Sequence, residues 1–215
     1  PPLYKVAKGR SEVYLKDNAA LDDYLVDAGL GARVLETVQG SRSGDDLRTL
    51  IDHARRMRML MGYVPRRYDP AIIEALALTG ALAPDLTAAT REEAAGRVAA
   101  WLGRADPEAS WSGIATSDGG YHLIRLWRGV SDHHVVDGAF VSSQEARKLN
   151  GLAAEQAESY AEIARLVAVR APDKPGDKPA ETEEAEEQAT DTRGIAISRP
   201  SELLDAVFGG ARKGL

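Results

Sequence analysis

Two adjacent histidines, His133 and His134, are the first residues whose type and spacing could hold a metal ion. In an extended chain neighbouring side chains point to opposite faces, so the pair cannot easily share one ion. Asp132 and Asp137 lie close by, but the set makes no recognised ligand spacing. His53 and His122 stand alone and read as satisfied surface or core histidines. The paired carboxylates Asp22-Asp23, Asp45-Asp46 and Glu92-Glu93 fall at predicted helix starts, where the helix dipole already favours acids. G-x-S-x-G, P-loop and G-x-G-x-x-G motifs are absent, and Gly29-Leu30-Gly31 is too little of a dinucleotide motif to count. No nucleophile, base and orienting partner come together. The sequence therefore predicts no catalytic, metal-binding or cofactor-binding residue in this chain.

The arginines carry more chemistry. Residues 47–68 hold six arginines against Asp52, a balance of +5. Arg48, Arg55 and Arg58 are spaced to share one flank of a helix, and Arg66 and Arg67 extend the charge past its end. Such a set could contact phosphates non-specifically and in a salt-sensitive way. The same set also reads as a solvated face whose stems pack on apolar neighbours. Trp101, Trp111 and Trp127 are expected to serve core packing, with no basic interleaving to support base stacking.

The net charge of −6 over 215 residues argues against a polyanion partner until its distribution is read. The stretch from Asp173 to Asp191 has eight acids against Lys174 and Lys178, so it accounts for the whole −6. Residues 1–17 balance at +2, with Lys5, Lys8, Arg10 and Lys16 against Glu12 and Asp17. Basic patches on a neutral body remain compatible with nucleic acid. Absence of cysteine excludes disulfides, thiolate metal sites and thiol nucleophiles, and suits a cytoplasmic protein. No apolar run approaches the roughly 20 residues of a membrane span. The opening Pro1-Pro2-Leu3 is expected of a piece cut from a longer protein.

Periodicity predicts an α+β chain: β-hairpins and a small antiparallel sheet with a layer of helices, one long helix, and a disordered acidic linker. Strands are expected at Leu3–Val6 and Glu12–Leu15 around Lys8-Gly9-Arg10-Ser11, then at Tyr24–Val26 and Arg33–Leu35 with Gly29 and Gly31 turning between them. A short helix capped by Asp17 or Asn18 and running through Leu21 separates the two pairs. Ser43 opens a helix near 44–62, Asp69-Pro70 starts another, and Thr90 with Glu93 forms a capping box for a third. Ser110–Thr116 and Tyr121–Trp127 read as a hairpin about Asp118-Gly119-Gly120, with shorter strands at Val135-Val136 and Phe140-Val141. A long helix is expected over 143–169. Residues 171–192 have no large apolar side chain and read as a flexible acidic linker. A strand at Gly194–Ile197 and a helix capped by Ser201 and ending at Gly209-Gly210 close the chain.

The two ends together resemble one family. Pro1-Pro2-Leu3-Tyr4-Lys5-Val6, Lys8-Gly9 and Tyr14-Leu15-Lys16-Asp17 are similar to the segment that follows the acidic metal-binding strands in the B subunits of bacterial DNA gyrases. Arg212-Lys213-Gly214-Leu215 resembles the residues just before that family's Gln-Arg-Tyr-Lys-Gly-Leu-Gly signature. Weaker, ordered likeness continues at Arg66-Arg67-Tyr68, at Gly129-Val130 and from Asp137 to Leu149. The resemblance implies the large insert that interrupts the TOPRIM domain, with flanking segments. Its implied layout is a flanking hairpin and short helix over 1–23, an insert domain over 24–170, the linker, and a return over 193–215. It also implies a parent that uses ATP and Mg2+ to supercoil double-stranded DNA and assembles with the gyrase A subunit, while this chain supplies none of the catalytic groups. The implied role here is a steric, DNA-binding and coupling element, with Lys5, Lys8 and Arg10 as DNA-contact candidates beside Arg55, Arg58, Arg66 and Arg67. A protein-interaction module, with the acidic stretch as docking site or DNA mimic, is the other reading.

Overall fold

The computed structural model describes residues 4–8, 11–31, 33–168 and 194–213. They divide into two units. The first draws on the chain up to Asp52, from Ala164 to Ile197 and from Ser201 onward; the second comprises His53–Ile163 with Ser198–Pro200. The class is α+β, as expected, with small antiparallel sheets and helices. The expected acidic linker over 171–192 lies outside the described residues.

In the first unit, β1 (Tyr4–Lys8) and β2 (Ser11–Leu15) form the expected hairpin, with Val6 opposite Val13 and Val6 buried. The next element differs from expectation. Helix α1 runs unbroken over Asn18–Leu30, so Tyr24–Val26 is helix and no turn forms at Gly29. The Asp17 carboxylate accepts a hydrogen bond from the Ala20 amide at 2.8 Å, which satisfies one of the orphan donors of the first turn. Leu25, Val26 and Gly29 are buried together at helical spacing. Tertiary burial overrides the β-propensity of the Tyr-Leu-Val triplet.

Strands β3 (Arg33–Thr37) and β4 (Gly40–Arg42) follow, the latter not expected from sequence because three polar residues carry no periodicity. With β8 (Ala164–Ala168) and β9 (Ile195–Ile197) they make a four-stranded antiparallel sheet in the order β4-β3-β8-β9. Leu35 pairs with Leu166 in register, and both are buried with Ile197. The expected helix over 143–169 is thus corrected: its last part is a strand. Ile163 and Leu166 are three apart, a helical spacing, but pairing with β3 makes Ala164 and Leu166, two apart, the buried pair of one strand face. The final helix, α7 (Pro200–Lys213), starts at Pro200 rather than after Ser201 and continues through Gly209-Gly210. It buries Leu203, Leu204 and Val207, and Arg33 donates to the Ala206 carbonyl at 3.2 Å.

Helix α2 (Gly44–Met61) carries the chain from the first unit into the second. Leu47, Leu50, Ile51, Ala54 and Met57 are all buried at steps of three and four, as the spacing predicts. In the second unit α3 (Pro70–Leu78) is capped by Asp69 on the Ala71 amide at 2.8 Å and stopped by Gly80 at φ +75°. Helix α4 (Ala88–Ala105) is capped by Thr87, three residues before the expected Thr90. Strands β5 (Ser110–Ala115), β6 (Tyr121–Trp127) and β7 (Val130–Val136) form a meander. One face of this meander packs on α4 so closely that a Cβ on Gly113 would stand 2.7 Å from the Ala95 carbonyl oxygen. Phe140-Val141 lies in a short helix, α5 (Gly138–Val141), and not in a strand, because Asp137 caps the Phe140 amide at 2.9 Å. Helix α6 (Gln144–Ala154) ends well short of the expected 169, in a 3-10 turn over Ala157–Tyr160 that buries Tyr160. Among the described residues no helix is long and apolar enough to cross a membrane.

Candidate nucleic-acid interface

The sixteen residues from His53 to Tyr68 contain five arginines and no carboxylate. Helix α2 positions the first three. Its apolar stripe faces inward, so Arg55, Arg56 and Arg58 are placed away from the core, with Arg56 and Arg58 fully at the surface. Cations in the last turn also complement the exposed carbonyls and the dipole at the helix C-terminus. Arg56 is engaged at 2.9 Å by Glu155. The loop after α2 then presents Arg66 and Arg67, both exposed, before Tyr68 turns inward.

Arg67 and Arg66 are neighbours with different occupations. The Arg67 guanidinium donates to Tyr68 Oη at 2.8 Å and to Asp137 Oδ2 at 2.7 Å, and it lies 4.8 Å from the centroid of the Tyr68 ring. The Tyr68 hydroxyl in turn donates to Asp137 Oδ2 at 2.6 Å, and its ring meets Phe140 at 5.1 Å. The Tyr68 hydrogen bond, the Phe140 amide and the nearby Arg67 hold the Asp137 carboxyl below the usual carboxylate range. Burial and the Asp137 hydrogen bond push the Tyr68 hydroxyl up. Arg67 therefore closes a structural node, whereas Arg66 makes no ion pair or hydrogen bond with any described residue.

In the first unit Lys5 pairs with Glu12 at 2.8 Å across the hairpin and lies 5.9 Å from the Tyr14 ring centroid. Arg48 is held by Asp27, which raises its pKa through a hydrogen bond and charge attraction. Arg10 and the side chain of Lys8 lie outside the described residues. The structure thus gathers Arg55, Arg58, Arg66 and Arg67 in one unit and leaves Lys5 in the other.

Two apolar side chains in the arginine stretch carry no expectation from sequence: Met59 is 71 % exposed and Tyr63 is 75 % exposed. The available signal was that Met59 falls off the buried stripe while Tyr63 follows four residues later, among arginines. The tryptophan expectation also needs correction. Arg104 stacks on Trp101 at 4.9 Å, and Trp127 has Arg128 at 4.7 Å and Arg125 at 5.9 Å. The chain brings cations to two tryptophan faces that linear inspection assigns to packing alone.

The histidines separate as the strand argument predicts. His133 meets His122 across the sheet, ring nitrogens 2.9 Å apart, while His134 stacks on Trp111 on the opposite face at 5.8 Å. His53 is fully buried, its Nε2 at 2.7 Å from the Leu152 carbonyl, and burial lowers its pKa. Among the described residues no three metal-capable side chains cluster.

Comparison with known proteins gives a consistent picture. A family model described as "GyrB, hook" matches residues 2–30. The whole chain aligns at 33 % identity with 23 % of the DNA gyrase B subunit of Caulobacter vibrioides. The DNA gyrase B subunit of Rickettsia felis is 37 % identical over 84 residues, which is 38 % of this chain and 10 % of the relative. That of Helicobacter pylori is 37 % identical over 68 residues, or 32 % of this chain and 8 % of the relative. The chain spans about a quarter of the Caulobacter relative that it matches from end to end.

Proposed function

We propose that this chain, homologous along its entire length to part of the DNA gyrase B subunit, is a non-catalytic segment of a type II topoisomerase that contacts duplex DNA and couples it to the rest of the enzyme. The observation that carries this reading is the end-to-end match at 33 % identity, which extends across the second unit as well as the first. The parent activity would be ATP-dependent supercoiling, with the A subunit as partner and Mg2+ at the cleavage centre. The described residues offer no carboxylate cluster suited to that ion. No cleavage or nucleotide-hydrolysis step is assigned to this chain.

The surface that suits DNA is the arginine-rich stretch 53–68, where Glu155 engages Arg56 and Asp137 engages Arg67. Arg58 and Arg66 are exposed there, and Tyr63 stands between them in sequence. Guanidinium groups displace counterions condensed on the duplex, so each phosphate contact adds about 0.9 to the slope of log affinity against log salt. Lys5, Lys8 and Arg10 on the opening hairpin are further contact candidates, and Arg55 extends the set along α2. Arg67 would contribute its field while remaining bound to Asp137.

The test is a full-length B subunit carrying Arg58→Glu and Arg66→Glu, paired with the A subunit. Duplex affinity should weaken, the salt slope should fall by about 1.8, and supercoiling should decline. ATP turnover measured without DNA should not change. An unaltered salt slope would remove the arginine stretch from the interface. A second reading, docking of a protein on the acidic run, is favoured by the eight acids between Asp173 and Asp191. It predicts salt-sensitive capture of a basic protein, lost on neutralising Glu183, Glu184, Glu186 and Glu187.

A further inference from the structure

Among the described residues one side chain other than glycine has a left-handed backbone: Arg128, at φ +48°. It stands in the two-residue turn between β6 and β7, where Trp127 pairs with Val130 and Gly129 follows at φ +82°. Two successive positive φ values make a type I′ hairpin turn, whose first central position favours asparagine, aspartate or glycine. Arginine is poorly suited there, because its Cβ crowds the following carbonyl and it has no short polar group to bond the local backbone. The six other described positions with positive φ are all glycine. A strained conformation kept at one exposed residue points to a use for its side chain. Stacking on Trp127 does not supply that use. Arg128 lies 4.7 Å from the ring centroid, but Arg125 already stands near the same ring at 5.9 Å. An exposed cation–π contact returns less than the left-handed backbone costs, so stability alone favours asparagine here.

We propose that Arg128 is a phosphate contact, and that the β6–β7 tip brings its guanidinium to the backbone of duplex DNA. Arg125 is committed to Asp106 at 2.5 Å and reaches Asp132 at 3.5 Å, so both of those carboxylates are engaged. Arg128 itself makes no ion pair or hydrogen bond with any described residue and is open to solvent. Strands β6 and β7 have seven residues each, so six steps at about 3.4 Å carry the tip roughly 20 Å beyond the Tyr121–Val136 end. A two-stranded ribbon is narrow enough for the major groove, about 12 Å wide, whose walls are lined with phosphates. A planar guanidinium can donate two parallel N–H bonds to phosphate oxygens. The indole face orders the cation before contact, which reduces the rotamer entropy lost on binding.

The inference rests on the topoisomerase reading for the choice of polyanion, duplex DNA, and it adds a contact outside the stretch 53–68. Its test compares Arg128→Asn and Arg128→Lys in full-length B subunit paired with the A subunit. Arg128→Asn relieves the turn and removes the charge. Hydrogen exchange of β6 and β7 should slow about twofold or more. Duplex affinity at 0.15 M salt should nevertheless fall about fivefold, and the slope of log affinity against log salt by about 0.9. Arg128→Lys keeps both charge and strain, so it should retain the slope and show no slowing of exchange. An unchanged slope in Arg128→Asn overturns the inference, and so does an equal loss in Arg128→Lys. Faster exchange in Arg128→Asn also overturns it, since the arginine would then serve the turn. Weakened association of the two subunits without DNA does the same, because the tip would then meet protein. A salt slope that falls in Arg58→Glu with Arg66→Glu, but not in Arg128→Asn, removes this contact alone. A wild-type pair that fails to supercoil DNA sinks the topoisomerase reading separately, whatever the binding measurements show.

Discussion

Replacing Gly29 by alanine tests how the two ends of the first unit are locked together. Gly29 lies in the last turn of α1, where a Cβ would meet the Val207 carbonyl oxygen of α7 at 2.7 Å and Val207 Cγ1 at 2.8 Å. Two effects oppose. Glycine inside a helix is less favourable than alanine by about 0.8–1.0 kcal/mol, so propensity alone predicts a gain. Forcing a methyl into a filled contact costs about 1–3 kcal/mol. Backbone makes the nearer contact, and a helix carbonyl cannot rotate away, so the steric cost should win, leaving a net loss of up to about 2 kcal/mol. For a chain of this size that lowers the melting temperature by up to roughly 8 °C. Gly96→Ala is the internal reference. It lies in α4 with nothing within 4 Å of its added Cβ, and should gain most of the propensity difference. Val207→Ala placed with Gly29→Ala should recover only part of the loss, since truncation leaves the carbonyl in place. Denaturant melts of the three variants decide the case. If Gly29→Ala gains as much as Gly96→Ala, the α1–α7 contact does not exist in solution.

Three further outcomes follow from the structure. Burial lowers the His53 pKa, so below its ordinary value near 6.5 the unfolded chain binds more protons than the folded one. Stability is then complete above pH 6.5 and falls by up to about 1.4 kcal/mol per unit as pH drops toward the folded pKa, a slope that His53→Gln should remove in urea melts. The Asp118 carboxyl, held down to about 2 by Thr116 Oγ1 and the amides of Gly138 and Gly120, stabilises the β5–β6 turn above pH 4 and ceases to do so as pH falls toward 2. An acid titration by circular dichroism should show this component in the wild type and not in Asp118→Asn. Leu166→Ala removes a buried side chain from the middle of β8 and should cost about 2–5 kcal/mol by denaturant melt, a loss too large for an exposed helical position.

Much of the fold was legible because it is written in short-range chemistry. Asp69-Pro70 starts a helix wherever it occurs in such a context, and the stripe from Leu47 to Met57 names its own buried face. The Asp118-Gly119-Gly120 turn needs a positive φ at Gly119, which it has at +87°. Elements whose local signal is ambiguous differ from expectation. Tyr24–Val26 favours strand in isolation and becomes helix by burial beside Gly29, and the helical spacing of Ile163 and Leu166 is overridden when β3 pairs with Ala164–Ala168. Of the basic residues, sequence revealed the clustering in 53–68 but not that Arg67 is committed to Asp137 while Arg66 is not, since that pairing joins positions 70 residues apart.

By itself, then, the order of residues determined the α+β class, most helix starts, the segregation of charge and the likeness to gyrase B subunits. Each of these depends on neighbours within a few positions or on a motif read directly. Only the tertiary structure decided which arginines are engaged, that Arg33–Thr37 pairs with Ala164–Ala168, and that Arg125 and Asp132 share one face of the β5–β6–β7 sheet. Those facts come from pairs far apart in sequence, whose contact energies exist only after the backbone has brought them together.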